Sequence, residues 1–485
     1  MTPLETGETL ALILIAAHIV VGFIATVLVS TNRRPSTAIA WVLTIVFIPF
    51  LGAIAYLFIG RNRLPAHRRQ QQRGMNTRFA ENTSVSALPA DPSSEPGWLT
   101  SVVEMNHRLG ALPLVGGNEV SIIEDYMASF DAMIQSIDAA TERVHVEFYI
   151  LVLDDSTRGF FDALARARAR GVTVRVLSDH LSGFLYPHRT ATQGALAAMG
   201  AQWRAMLPLR PFRGQWQRPD LRNHRKIVVV DGQVAFTGSQ NLIDETYLKP
   251  KNISRGLHWV ELMIRITGPA ARELDAVFLT DWHAESDELL DFLPTRLVST
   301  GTAVAMQTVP SGPSFENDNN LKLFASLIHK AERRISITSP YFVPDESIQL
   351  ALVTAAARGL SIELFVSEIG DQKLVYHAQR SYYEALLRAG IAIHLYRAPA
   401  VLHSKHFTVD DDIAVIGSSN MDIRSFSLNA EVSMLVHGKE FVDRMRSVED
   451  RYRLNSSPLD LERWLRRPIG EKTWDNLARL TSSLQ

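Results

Sequence analysis

The feature that most limits how this chain can fold is an internal repeat, in which two distant stretches carry the same order of elements. In the first, a strand at 143–151 (RVHVEFYIL) leads to a helix ending at Arg170-Gly171 and a second strand at 172–177. In the second, a strand at 334–342 (RISITSPYF) leads to a helix ending at Arg358-Gly359 and a strand at 360–366. Each copy then runs through a further helix, ALAAMGAQWRAM or YYEALLRAGIAIHLY, toward another strand. Strands that alternate with helices predict parallel-rich sheets covered by helices, so the expected class is α/β, duplicated. A chain of 485 residues is long for one core, which predicts two catalytic-size units with appendages.

Each copy ends in one punctuated string. The first is His224-Arg225-Lys226, four residues, Asp231, six residues, then Gly238-Ser239-Gln240-Asn241. The second is His403-Ser404-Lys405, four residues, Asp410, six residues, then Gly417-Ser418-Ser419-Asn420. A buried strand and turn accounts for the apolar IVVVDG between the marked positions of the first copy, but not for the polar residues. On a strand, residues two apart share a face, so each His stands beside a fixed cation.

That pairing suits attack on a phosphodiester. One imidazole displaces an alcohol and holds the phosphoryl group covalently. The other starts protonated, gives its proton to the leaving alkoxide, then takes one from the incoming alcohol. Lys226, Lys405, Asn241 and Asn420 are expected to donate to the non-bridging oxygens, with Ser239 and Ser418 supporting them. No metal and no cofactor is called for, because a lysine inside each motif repels a divalent ion and clustered carboxylates are missing from it. The chain has no cysteine, which excludes thiolate nucleophiles, disulfides and cysteine-ligated metals.

Ahead of the repeat the chain changes character. Residues 10–30 (LALILIAAHIVVGFIATVLVS) and 39–59 (IAWVLTIVFIPFLGAIAYLFI) each match the roughly 30 Å hydrocarbon layer in length, so two transmembrane helices are expected. A signal peptide fits poorly, since Glu5 and Glu8 lead the first run and a second follows it. Pro49 and Gly52 allow the alternative that the second run kinks or re-enters as a hairpin. Arg61, Arg63, Arg68, Arg69 and Arg73 follow the second run, against Arg33 and Arg34 in the loop, which places the catalytic body on the cytoplasmic side of a cell membrane. His18 reads as a residue between packed helices.

The boundaries that follow are a membrane anchor with a basic flank at 1–74, a linker at 75–110, and catalytic repeats at 111–295 and 296–485. Phe184 to Trp216 is rich in aromatic, apolar and basic residues; helix packing is the favoured account over a bilayer contact. Tyr341, Tyr382 and Tyr383 read as core or rim in preference to lipid contacts.

The two HxKxxxxD…GSxN strings resemble those of the phospholipase D superfamily. With RRPSTAIAWVLTIVFIPFLGAIAYLFIGRNR, DLRNHRKIVVVDG and RWLRRP, most of the chain resembles, more narrowly, bacterial cardiolipin synthases. The resemblance implies two phospholipase D-like domains, each a mixed sheet flanked by helices. It implies a ping-pong transfer in which one phosphatidylglycerol phosphatidylates a histidine, glycerol leaves, and a second phosphatidylglycerol takes the group. It further implies His224 as nucleophile and His403 as acid and base. An acidic residue downstream of each motif, here Glu261 and Glu431, is expected to orient the imidazole of the opposite copy. Asp231 and Asp410 match the motif as catalytic positions or as loop supports. The alternatives are a phospholipase D or a phosphatidylserine-synthase-like transferase, with a nuclease or an inactive scaffold less favoured. The near balance of 50 Lys+Arg against 51 Asp+Glu argues against a nucleic-acid partner.

Overall fold

The structure, a computed structural model, describes residues 3–30, 35–48, 50–60, 64, 66–83, 97–210, 218–291, 304–315 and 318–482. The chain divides into two compact units, Met1–Arg63 with Arg218–Asp220, and Leu64–Gln217 with Leu221–Gln485.

In the first unit, helix α1 (Pro3–Ser30) contains an apolar stretch, Ala11–Val29, of 19 residues. Among the described residues it is the one helix long and apolar enough to cross a bilayer. The second apolar run is instead two short helices, α2 (Pro35–Phe47) and α3 (Leu51–Ile59), with Phe50 between them at φ 61°. They fold back on one another: the rings of Trp41 and Tyr56 are 5.4 Å apart, a separation that a continuous helix over those residues would not allow. Gly52 makes the reversal possible, since a Cβ there would lie 2.5 Å from the Thr44 carbonyl oxygen. The hairpin alternative thus describes this run better than a second straight span. Pro49, Arg33, Arg34, Arg61 and Arg63 lie outside the described residues. His18 Nε2 lies 2.9 Å from the Val46 carbonyl, the interhelical position expected of it.

The second unit opens with α4 (Ala66–Thr83), which runs across the expected boundary at 74/75. Met75 packs with Phe278, Leu279 and Trp282 of the helix Pro269–Ser286, and Arg68 forms a buried pair with Glu285 at 2.8 Å. Burial of that apolar edge makes 75–83 part of the body, although its composition reads as a linker. The remainder of the expected linker splits between residues 84–96, outside the described set, and the helix Gly97–Arg108, whose Leu99 and Val102 are buried.

Among the described residues seventeen strands follow: β1 (Leu114–Ile123), β2 (Arg143–Phe148), β3 (Thr173–Asp179), β4 (Gln202–Met206), β5 (Lys226–Val230), β6 (Val234–Gly238), β7 (His258–Val260), β8 (Met263–Thr267), β9 (Val304–Ser311), β10 (Arg334–Thr338), β11 (Ser361–Ser367), β12 (Ala392–Tyr396), β13 (Ala400–Leu402), β14 (His406–Val409), β15 (Ile413–Gly417), β16 (Glu431–His437) and β17 (Ser456–Pro458). Fifteen form one sheet, ordered β17-β12-β11-β10-β14-β15-β16-β9-β1-β8-β6-β5-β2-β3-β4. Read outward from the β1/β9 junction, the order on one side mirrors the other, with β17 added at one edge. Within this sheet the pairs β2-β3-β4 and β10-β11-β12 are parallel and the other ladders antiparallel, so the sheet is mixed, while β7 and β13 form a separate parallel pair. The two repeats are therefore halves of a single body. Their shared core includes Leu274 and Val277 from one half with Phe441 and Met445 from the other.

The Arg-Gly pairs end their helices for a physical reason. Gly171 and Gly359 both take φ 91°, where a side chain would be strained, and let the chain turn directly into β3 and β11. Arg170 and Arg358 donate to the carbonyls Ile137 and Ala331 near the end of the preceding helix in each half. Of the residues singled out by composition, Tyr382 and Tyr383 belong to the core, Leu207 is buried, and Phe184 and Leu185 are exposed, so packing does not account for those two. Residues 211–217 lie outside the described set.

Candidate active site

His224 and His403 each sit two residues before a buried lysine that enters or adjoins the first strand of its hairpin, β5 or β14. Because β5 runs antiparallel to β2, with Lys226 opposite Phe148, the histidine is delivered to the carboxyl end of the parallel strands. The backbone then crosses between halves. His224 N–H donates to the Ala430 carbonyl and His403 N–H to the Val260 carbonyl, both at 2.8 Å. Ala430 and Val260 directly precede Glu431 and Glu261, so each bond brings an imidazole from one half to a carboxylate of the other.

The side chains complete the exchange. His403 Nδ1 is 2.8 Å from Glu261 Oε1, and His224 Nδ1 is 3.3 Å from Glu431 Oε1. Lys226 and Lys405 bend back in the same way, each donating to the carbonyl of its own histidine at 2.6 Å. Lys405 Nζ also lies 3.2 Å from His403 Nδ1. All four groups around the histidines are buried.

The GSxN strings explain how the carboxylates arrive. A Cβ on Gly238 would stand 2.3 Å from the Leu262 carbonyl oxygen, and one on Gly417 2.2 Å from that of Val432, so only glycine lets the Glu-bearing strand come this close. Ser239 and Ser418 then accept the N–H of Leu262 and Val432 at 2.9 and 3.0 Å. Ser418 also donates to Glu431 Oε2 at 2.6 Å. Asn241 accepts from Ile150 N–H at 3.2 Å and donates to Tyr247 Oη at 2.9 Å, so part of its capacity is spent inside the protein. The Asn420 N–H donates to Ser425 Oγ at 3.2 Å, and Ser425 donates to Glu431 Oε1 at 2.8 Å.

Asp231 and Asp410 are not brought to the histidines. Each follows its strand at the far end, roughly 17 Å along from the lysine at about 3.4 Å per residue. Asp231, at φ 52°, accepts the N–H groups of Thr141, Glu142 and Arg143. Asp410, at φ 50°, accepts those of Glu332, Arg333 and Arg334. They clamp the start of β2 and β10, the loop-support role, and a place among the reacting groups does not fit that position.

Charge in the site is set by burial. Burial pushes the His224 imidazole down to about 4, against the pull of Glu431. It also lowers His403, opposed by Glu261 and reinforced by Lys405 and Lys226. Lys405 falls to about 7 through burial, with Lys226 adding to it, and Lys226 is lowered by burial as well. Burial alone would raise Glu261 and Glu431; their imidazole partners, together with Lys405 and Lys226 respectively, outweigh it and hold both carboxyls below their usual range. Lys226 acts on both His403 and Lys405, so the two motifs form one electrostatic site.

Four further residues belong to this site that the motifs did not reveal. Arg225 donates to the Glu431 carbonyl at 3.0 Å and pairs with Asp281, tying the halves together. Tyr247 donates to Glu261 Oε1 at 2.9 Å, Tyr149 packs on His224 at 4.3 Å between rings, and Asn429 reaches His224 Nδ1 at 3.4 Å. Arg225 fills the free middle position of its motif, and Asn429 lies two before Glu431; for the tyrosines no local pattern gave a signal. Tyr341 stands 6.1 Å from His403, ring to ring. Among the described residues there is no cluster of His, Cys, Asp and Glu able to hold a metal ion.

The family described as "Cardiolipin synthase, PLD-like domain" matches residues 133–282 and 324–452, and that described as "Phospholipase_D-nuclease N-terminal" matches residues 12–61. Cardiolipin synthase of Geobacillus kaustophilus is 31% identical over 490 residues, 99% of this chain and 95% of its own. Cardiolipin synthase A of Pseudomonas putida is 34% identical over 425 residues, 86% of each chain. Among solved structures, phosphatidylserine synthase of Haemophilus influenzae superposes with a TM-score of 0.58 at 14% identity, over 79% of this chain and 99% of that one, a likeness of fold.

Proposed function

This chain belongs to the cardiolipin synthase family with phospholipase D-like domains, and from that premise we propose that it makes cardiolipin by moving a phosphatidyl group between two phosphatidylglycerols. The observation that carries the reading is the pair of crossed His–Glu contacts with a buried lysine beside each.

In the first half-reaction neutral His224 attacks phosphorus. The bond from phosphorus to the glycerol oxygen breaks, and His403 gives that oxygen its proton. Burial keeps His224 neutral near pH 7, as a nucleophile must be. His403 has the tighter carboxylate, which favours its imidazolium. An anionic phosphodiester entering between Lys226 and Lys405 offsets the ammonium charges that oppose that imidazolium, so substrate itself raises the proton affinity of His403. In the second half-reaction His403, now neutral, removes the proton from a hydroxyl of the second phosphatidylglycerol. That oxygen bonds to phosphorus, the phosphorus–nitrogen bond breaks, and His224 is regenerated. The lysines neutralise the non-bridging oxygens in both steps.

We further infer that α1 crosses the cell membrane, that the α2–α3 hairpin enters the bilayer without spanning it, and that the body faces the cytoplasm, following the arginines after residue 60. The deciding assay uses purified protein, labelled phosphatidylglycerol and a chelator, with His224→Ala and His403→Ala alongside. Cardiolipin with released glycerol, lost in both variants, is expected; phosphatidic acid as the sole product would make the enzyme a hydrolase.

A further inference from the structure

The C-terminal helix Ile469–Arg479 is built inside out. Its buried charged residue, Asp475, faces the helix Lys373–Arg388 and meets His377 Nδ1 at 2.8 Å, Arg380 Nε at 3.3 Å and Arg467 at 2.6 Å. Just upstream, Trp464 is buried under the guanidiniums of Arg467 and Arg380, 3.2 and 5.1 Å from its ring, and packs on Tyr383. Ion pairs and cation–π contacts, not the helix's own large apolar side chains, fix it to the body.

Those apolar side chains point away. Ile469, Trp474, Leu477 and Leu480 are 82%, 66%, 49% and 79% exposed. At 3.6 residues per turn they share one face about 140° wide. A contiguous apolar face of this kind marks an interaction surface. Charge identifies the partner: over 461–480 Asp475 and Arg467 are both taken up by the buried cluster, and of the remaining charges the basic Arg463, Arg466, Lys472 and Arg479 outnumber Glu462 and Glu471. An apolar face with a cationic border fits the surface of an anionic phospholipid bilayer.

We propose that this helix lies in the plane of an anionic bilayer surface, with Ile469, Trp474, Leu477 and Leu480 embedded at the acyl boundary, as a peripheral contact of the body additional to α1. The proposal goes beyond the reaction and holds whichever lipid the site produces.

Because the chain has no cysteine, Leu477→Cys and Leu480→Cys each offer a single site for a nitroxide label. The full chain is reconstituted in phosphatidylcholine vesicles with and without phosphatidylglycerol, and collisions of the label with oxygen and with a water-soluble nickel chelate are compared. The expected result is loss of chelate access, at a depth of about 5–10 Å below the headgroups. The loss should be larger with phosphatidylglycerol and weakened by salt. Free chelate access at both positions would overturn the proposal. Shielding accompanied by dipolar broadening between labels would also overturn it, by showing that a second copy covers the face.

Discussion

Glu261→Gln tests the division of labour between the two histidines most directly. The substitution keeps the shape of the side chain and removes a buried charge 2.8 Å from His403 Nδ1. Opposite charges about 4 Å apart interact by about 4 kcal/mol at an effective dielectric constant near 20. Without that charge His403 holds its proton less tightly. With phosphatidylglycerol, whose glycerol must leave protonated, the first half-reaction should slow by about 10²- to 10³-fold, within the range of general acid catalysis. The sign of the pH effect follows. The acid must be protonated, so the rate falls as pH rises through its pKa, and in the variant that fall moves to lower pH. A phosphatidyl ester of p-nitrophenol needs no proton on its leaving group, so Glu261→Gln and His403→Ala should form the phosphatidyl-enzyme from it at near wild-type rates, while His224→Ala should not. Rapid-quench measurement of both esters across pH provides the data. Equal losses with both leaving groups, or an unshifted profile with phosphatidylglycerol, would refute the assignment of His403 as the acid.

Glu431→Gln should instead slow both esters alike, because it disturbs the nucleophile His224; first-turnover rates read this. Tyr247→Phe removes the hydroxyl that donates to Glu261 Oε1 at 2.9 Å, and the loss of a hydrogen bond to a charged group, about 1.5–3 kcal/mol, should lower kcat about tenfold or more with KM little changed. Gly417→Ala places a methyl 2.2 Å from the Val432 carbonyl oxygen and should destabilise by about 1–3 kcal/mol, seen as a lower Tm. Asp231→Ala frees three N–H groups at the start of β2; it should reduce stability, while folded protein keeps its pH profile of activity. Since those N–H groups outweigh burial and hold the Asp231 carboxyl below its usual range, the stability it contributes is complete above the ordinary carboxylate pKa near 3.9. That contribution is lost as pH falls through the lowered folded value, which acid unfolding of wild type against Asp231→Asn would reveal.

The order of residues determined a good deal by itself. Two copies of His-x-Lys at a spacing of two keep each lysine beside its histidine on the short approach to β5 or β14, and the Arg-Gly pairs end their helices through local backbone geometry at Gly171 and Gly359. The predominantly apolar stretch Ala11–Val29 reads directly as a membrane-crossing length. Other features depend on partners remote in the chain, to which local pattern is blind. Asp231 and Asp410 stand in the motif beside catalytic residue types, yet strand length carries them to the opposite end of the sheet. The 75–83 segment looks like a linker until the helix Pro269–Ser286 supplies the surface that buries Met75. Tyr247 carries no recognisable spacing, and only the folded chain brings its hydroxyl to Glu261 Oε1, 2.9 Å away. The parallel ladder of β7 with β13 places Val260–Glu261 beside His403, and the bridge between Asn223 and Ala430 places Ala430–Glu431 beside His224. Only that tertiary arrangement decides that each imidazole answers to a carboxylate from the other half, because two separated motifs become one electrostatic site when a shared, buried sheet brings their charges within a few ångströms.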